Sequence, residues 1–397
     1  MVLDIAETPI IELLQIHGRF SFSDELDVHL RARHISIRGD NSEFNIGTPF
    51  EAYTHKARIT LFGEKEENAI FFEGAWSPGS KILANAGRIG FYGTPRAKAM
   101  TRLTQVAFKD ATEIFVEPGL DWVPGDRIAI APTSFDHEGG EDRFISTYDS
   151  TTGKAVLTTP LRIYHWGQNV TSANEYNGVD LRAEVILLTR NILIAGEDVK
   201  SWGARILTSD SVELDTTGNI RMRFGQTIMD SVEIYNCSQM DSYDAALMWE
   251  NAKTLQSSVT NSAIHNGLGW GVRIESSANV VFSNNVLYDF RPFGVVADYS
   301  SDLVINENVL IKVVERTTIE ASWNYVDRKG GYAICAVYAS SAACTNVTVN
   351  DNIAAGAPMA GFWAMMHNCD EENLSFRGNV AHSIAGTNSG GMGAIFF

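Results

Sequence analysis

A short motif recurs through the second half of this chain at a nearly constant step, and that periodicity constrains the fold more than any other feature. Val259-Thr-Asn-Ser-Ala263, Phe282-Ser-Asn-Asn-Val286 and Ile305-Asn-Glu-Asn-Val309 follow one another at intervals of 23 residues. The pattern returns at Val349-Asn-Asp-Asn-Ile353 and Phe376-Arg-Gly-Asn-Val380, after steps of 44 and 27. A less regular copy stands upstream at Ile228-Met-Asp-Ser-Val232. Each copy sets an apolar residue three positions ahead of a small polar one, aligning Ser231, Ser262, Asn285, Asn308, Asn352 and Asn379. Gly271 and Gly294, also 23 apart, each open a short strand.

A unit of two or three short strands joined by tight corners cannot bury its apolar side alone, so coils must stack and share a core. Asparagine at a repeated corner tolerates left-handed geometry and reaches the matching residue one coil away, which predicts a ladder along the axis. Helical repeats would need apolar spacings of three and four over longer runs. The expected fold is therefore all-β, a right-handed parallel β-helix. The 44-residue step reads as one coil with an insertion from about Glu315 to Gly331, carrying Trp323, Tyr325, Arg328 and Lys329 and leaving the solenoid as a loop.

The first half supplies short glycine-bounded strands, such as Ile35-Ser-Ile-Arg-Gly39 and Ala57-Arg-Ile-Thr-Leu-Phe-Gly63. Between Lys98 and His165 the pattern changes to alternating strands, including Arg127-Ile-Ala-Ile130 and Phe144-Ile-Ser146, which reads as a small antiparallel insert. Several stretches here carry a resemblance. Gly93-Thr-Pro-Arg96 with Thr101-Arg-Leu-Thr104, Asp121-Trp-Val-Pro-Gly-Asp-Arg-Ile-Ala-Ile130, Pro160-Leu-Arg-Ile-Tyr-His165 and Arg182-Ala-Glu-Val-Ile-Leu-Leu-Thr-Arg-Asn191 occur in the order found in the family of fibrocystin and fibrocystin-L-like proteins. These are similar in turn to the cell-surface hyaluronan-degrading proteins, and Met100 stands where the family usually has Trp. The resemblance implies the C-terminal part of an eight-glycine domain over 1–97, the antiparallel insert over 98–165 and β-helix repeats over 166–397. It also implies a piece of a larger extracellular or cell-surface protein, membrane-anchored at full length.

Net charge of −17 and a pI near 4.9 argue against nucleic acid or an anionic membrane as main partner. The basic stretch Arg88, Arg96, Lys98 and Arg102 reads as a solvated edge. No segment reaches the ~18 apolar residues of a membrane span. Cys237, Cys335, Cys344 and Cys369 lack C-x-x-C spacing, so no structural metal is expected, and they are compatible with a disulfide or with buried thiols. Asn169, Asn236, Asn346 and Asn373 head glycosylation sequons.

One set of side chains carries candidate chemistry. Glu275 and Asp298 stand four residues after the register glycines, and Glu250 lies near the equivalent position one coil earlier. Stacked carboxylates would raise one another's pKa and suit a glycosidase pair or a calcium ion, while an acidic protein also shows such columns as solvated surface. His265, His367 and His382 fall near coil corners, where packing is the simpler role; Arg182 and Arg190 read as pairing with Glu184 or a neighbouring coil. The hyaluronan-degrading branch carries a histidine-rich segment where this chain has Tyr243-Asp-Ala-Ala-Leu-Met-Trp249, without histidine. That departure favours a non-catalytic module of the fibrocystin-L type that binds an extracellular glycan or protein, over a polysaccharide hydrolase or lyase.

Overall fold

The computed structural model describes residues 1–65, 67, 79–168, 180–197, 201–214, 217–315, 329–335, 344–364, 374–386 and 392–396. Every regular element among them is a strand. A typical coil runs Ala278–Ser283, Val286–Phe290 and Phe293–Asp298, and the next runs Ser301–Asn306, Val309–Val313 and Gly330–Ile334. Each of these strands pairs in parallel with its equivalent one coil away, which makes a parallel β-helix, and parallel crossovers of this kind wind right-handed. In-register pairing stacks like on like. Val259, Phe282, Ile305, Val349 and Phe376 form one inward column, and the first four of them are buried in the common core.

The corner after that column is chemically regular. Asn261, Asn284, Glu307, Asp351 and Gly378 turn the chain with φ of 53°, 54°, 57°, 56° and 65°. The next residue in each coil builds the ladder. Asn285 Oδ1 accepts the Ser262 N–H at 2.9 Å, Asn308 Oδ1 that of Asn285 at 3.0 Å, Asn352 Oδ1 that of Asn308 at 3.0 Å, and Asn379 Oδ1 that of Asn352 at 3.0 Å. Left-handed geometry therefore falls on the residue before the ladder asparagine, which leaves the asparagine free to point along the axis. Ser231 is the exception to the alignment read from sequence. It carries the left-handed φ of 58° itself, while the Val232 N–H donates to Ser262 Oγ at 3.1 Å, so Ser231 lies one residue short of the column. The inward side chain of that coil is Met229, not Ile228.

Asn308 also donates Nδ2–H to Phe282 O at 2.8 Å and to Asn352 Oδ1 at 2.9 Å, wholly buried. Asn308→Ala strands the Asn285 N–H and the Phe282 carbonyl, and is expected to cost about 1–3 kcal/mol. Urea unfolding of the variant checks this; an unchanged midpoint would show that water replaces the amide.

The first residues are not a separate body. Ala57–Leu61 pairs with Ile192–Gly196, Ile82–Asn85 with Arg205–Thr208, and Arg88–Tyr92 with Gln226–Asp230, so these early strands belong to the same solenoid. Between them the chain leaves to build a six-stranded sheet ordered Glu113–Phe115, Lys154–Leu157, Glu141–Asp149, Arg127–Ile130, Glu184–Leu187 and Met100–Arg102. It takes in Glu184–Leu187, beyond the 98–165 segment read from sequence. That strand is buried on both faces: Val185 and Leu187 enter the insert's own core, whereas Ile186 and Leu188 pack with Ala129 and Ala131 on the outer face of the solenoid, against Val286, Tyr288, Val309 and Ile311.

Asn308 and Asn352 are ladder neighbours although 44 residues apart, so the long step is one coil. Its surplus is divided by the strand Gly330–Ile334, which pairs with Phe293–Asp298; Gly330 and Gly331 thus belong to the solenoid and not to the loop read from sequence. Trp323, Tyr325 and Arg328 lie outside the described residues. Lys329 is buried, ion-paired with Glu315, and its carbonyl accepts Trp363 Nε1–H at 3.2 Å.

Candidate functional site

Three carboxylates share one register on the outer face of the solenoid. Glu250 pairs with Glu275, and Glu275 with Asp298, across the strands Leu247–Glu250, Val272–Glu275 and Phe293–Asp298. Inward positions of the same strands, Leu247, Trp249, Val272, Ile274, Val295 and Ala297, fill the core, and alternation turns the acids outward. The three differ in environment. Asp298 is only 2% exposed. Glu275 is ion-paired with Arg273, two residues before it on the same face. Glu250 is half-buried, and burial together with the neighbouring Glu275 carboxylate pushes its pKa up, against the opposing charges of Arg273 and Arg205.

A shell around the column was not singled out from sequence. The Arg273 guanidinium lies 5.2 Å from the Tyr243 ring centroid and 5.4 Å from that of Trp270, and donates to Tyr243 O at 3.3 Å. Arg205 is buried, which lowers its pKa, and it is ion-paired with Asp244. The signal for Arg273 was present, since residues two apart on a strand share a face. Arg205 and Asp244 come from different coils, and no periodic feature marks them.

The histidines serve structural bonds. His265 Nε2 lies 3.0 Å from Glu233 Oε1, and Glu233 also accepts the Arg190 N–H at 2.8 Å. The Arg190 side chain donates to the carbonyls of Asn261, Leu187 and Thr189; burial lowers its pKa to about 10. His382 Nε2 meets Glu184 Oε2 at 3.0 Å, with Arg102 on the other oxygen at 2.8 Å, which ties the insert to the solenoid. Burial of Glu184 opposes ionisation, but the His382 bond and the charges of His382 and Arg102 hold its pKa below the usual range. Arg182 pairs with Asp180 and Glu117 rather than with Glu184. His367 lies outside the described residues.

The basic stretch does not form a patch. Arg96 is taken up by Asp121 and Asp126, Arg102 by Glu184, and Lys98 approaches Glu117 at 4.0 Å, while Arg88 sits apart on the solenoid. Cys335 and Cys344 form a disulfide, Cys237 is a buried thiol whose pKa burial raises, and Cys369 lies outside the described residues. Asn346 is exposed, and its amide donates to Asp302 at 2.7 Å; Asn236 is half-buried; Asn169 and Asn373 lie outside the described residues. Among the described residues no three His, Cys, Asp or Glu side chains are gathered as a metal site, and no helix is long and apolar enough to cross a membrane.

Fold and sequence together define a right-handed parallel β-helix protein: the right-handed β-helix region family matches residues 203–381, and the G8 domain family matches residues 1–104. Within that class the chain is similar to fibrocystin-L and fibrocystin. It is 26% identical to Fibrocystin-L of Homo sapiens over 91% of this chain and 9% of that protein, and 23% identical to Fibrocystin of Canis lupus familiaris over 96% of this chain and 9% of that protein. The chain thus spans under a tenth of the length of these curated relatives. Among solved structures, the tailspike of Acinetobacter baumannii bacteriophage AP22 in complex with capsular saccharide aligns over 96% of this chain and 45% of its own, at 11% identity and a TM-score of 0.21, too distant to bear on function.

Proposed function

We propose that this chain is a non-catalytic extracellular module of a larger fibrocystin-L-like surface protein, binding a glycan or protein ligand in adhesion or coat assembly. The observation that carries this reading is the use made of its acid–base groups. His165, His265 and His382 each bond a buried or largely buried glutamate, and these contacts hold the insert and the coils in place. General acid–base chemistry needs such groups free to meet substrate. The Cys335–Cys344 disulfide suits an oxidising compartment. A glycan-array screen coupled to detection of new reducing ends tests the reading. Binding without cleavage is expected; new reducing ends would overturn it.

Glu250 favours the second reading, a carbohydrate-active enzyme. A carboxyl group with a raised pKa beside an arginine-paired Glu275, on strands ~4.8 Å apart, approaches the ~5 Å separation of a retaining glycosidase pair. Even so, high-molecular-weight hyaluronan is expected to keep its length when incubated with the protein, with or without calcium. Chain shortening that vanishes in Glu250→Gln, Glu275→Gln or Asp298→Asn would establish the enzyme instead.

Surface placement also predicts modification. Asn346, which heads one sequon, is exposed, and Thr348 of the same sequon is half-exposed. Secreted from a eukaryotic host, the protein is expected to carry N-glycan at Asn346, read by peptide mass spectrometry after enzymatic deglycosylation. An unmodified Asn346 in secreted material would count against the extracellular assignment.

A further inference from the structure

Between the solenoid strands Arg205–Thr208 and Gln226–Asp230 the chain forms an antiparallel two-stranded ribbon, Ser211–Leu214 with Ile220–Arg223. Its register sets Val212 opposite Met222 and Leu214 opposite Ile220. Side chains alternate across a strand, so these four share one face, while Glu213 and Arg223 lie on the other. The polar face is tied down. Glu213 accepts from Arg223 at 3.1 Å and is approached by Arg38 at 3.7 Å, and Arg223 is ion-paired with Asp40. The apolar face is open: Val212, Leu214, Ile220 and Met222 are 46%, 62%, 69% and 60% exposed. Phe224 and Leu255, 37% and 38% exposed, continue the patch at the ribbon's base, where they line one groove with Met222.

A bare two-stranded ribbon is marginal in water and needs its apolar face covered. Together these six residues expose on the order of 500 Å², within the range for the largest patch on a soluble monomer. We propose that this face is a self-association surface, on which the ribbon of a second copy packs face to face about a two-fold axis. Complete burial of two such faces would approach the ~1,200 Å² lower bound of a specific stable interface. A two-fold contact requires a patch complementary to itself, and a flat ribbon presenting two rows of aliphatic side chains of similar reach satisfies that. The charges agree. Glu213 and Arg223 are paired within one copy, and the groove at the ribbon's base sets Asp40 and Glu43 beside Arg88 and Arg223, so chains of net charge −17 can meet through a patch of balanced charge. The same net charge disfavours an anionic lipid surface.

Sedimentation velocity over concentrations on the order of 1–100 μM tests the proposal. A concentration-dependent monomer–dimer equilibrium is expected. Leu214→Lys combined with Ile220→Lys should weaken dimerisation about tenfold or more, with the melting curve at the lowest concentration unchanged, because both side chains reach solvent in the single copy. Val212→Thr with Met222→Thr keeps strand-forming residues in the ribbon and should weaken it in the same direction. Phe135→Lys, which places charge at a 96% exposed position elsewhere, should leave it unchanged. A wild-type chain that stays monomeric at the highest concentration overturns the proposal. So does a dimer that tolerates both ribbon variants, or a monomer that instead sediments with phosphatidylcholine–phosphatidylserine vesicles.

Discussion

Glu141→Ala is expected to unfold the antiparallel insert while the solenoid remains wound. The Glu141 carboxylate is completely buried, and five groups converge on it: the His165 ring through Nε2 at 3.0 Å, the Arg143 guanidinium, the Arg162 guanidinium at 3.4 Å, and the N–H groups of Arg162 and Ile163 at 2.9 and 3.3 Å. Burial alone would raise its pKa. The His165 bond, the Arg162 N–H, the Arg143 charge and the Ile163 N–H more than reverse that and bring it down to about 2. Removing the carboxylate leaves a buried arginine and two backbone donors uncompensated, a loss of about 3–5 kcal/mol. A fall from the ordinary 4.5 to about 2 corresponds to about 3 kcal/mol, in agreement with that figure. The sign follows from the direction. A carboxylate whose folded pKa is depressed contributes its full stability above about pH 4.5 and loses it as pH falls toward 2. Amide exchange in Arg127–Ile130 and Glu141–Asp149 should therefore accelerate by at least about a hundredfold in the variant at neutral pH, while Val286–Phe290 stays protected. Wild-type protein should lose the same protection on acidification, and Glu141→Gln should flatten that pH dependence. Protection in the insert equal to wild type would show that the carboxylate network is dispensable.

Gly271→Ala is expected to destabilise the solenoid by about 2–3 kcal/mol, whereas Gly18→Ala, which any surface-propensity argument would rank alike, is expected to be neutral or slightly stabilising. A Cβ at Gly271 would lie 2.4 Å from Gly294 O, one at Gly294 2.9 Å from Gly331 O, and one at Gly331 2.6 Å from Gly361 O. Four glycines thus stack at one corner on successive coils. At Gly271 and Gly331 the nearest obstruction is a backbone oxygen, which no rotamer change relieves; at Gly294 the Leu310 side chain is met before the Gly331 oxygen. Opening the coil spacing would stretch the bonds from Leu247 N–H to Gly271 O at 3.2 Å and from Gly271 N–H to Phe293 O at 3.1 Å. Nothing lies within 4 Å of a Cβ at Gly18. Urea midpoints of the two variants should separate clearly; equal midpoints would mean that the coils yield without cost.

The solenoid was legible because its physics is repetitive. In-register parallel stacking returns the same environment once per coil, so each corner selects the same kind of residue and the sequence carries the period. Gly271, Gly294 and the asparagines from Asn285 to Asn379 mark it because a column tolerates no misfit. The slip at Ser231 shows the limit. Ile228 and Met229 are both apolar, and only packing decides which turns inward. The last strand of the insert was hidden for a related reason: Glu184–Leu187 is covered on both faces, and a strand buried twice shows a continuous apolar run with no alternation to set its bounds.

Of the candidate site, the register of Glu250, Glu275 and Asp298 follows from the same periodicity, and so does their outward direction. Their electrostatic differences do not. Glu141 finds His165 across 24 residues, and Glu184 finds His382 across 198, through contacts that occur once and leave no period. The ribbon over 211–223 alternates as a strand pair should, yet alternation says only that its two faces differ. Sequence alone thus determined the parallel coil, its repeat and most of the residues stacked along it, because neighbouring coils impose equal local demands on equal positions. Tertiary structure decided where the insert docks, which carboxylates are neutralised by arginine or histidine, and that the apolar side of the ribbon faces water, because each of these depends on a single long-range approach that no other part of the chain repeats.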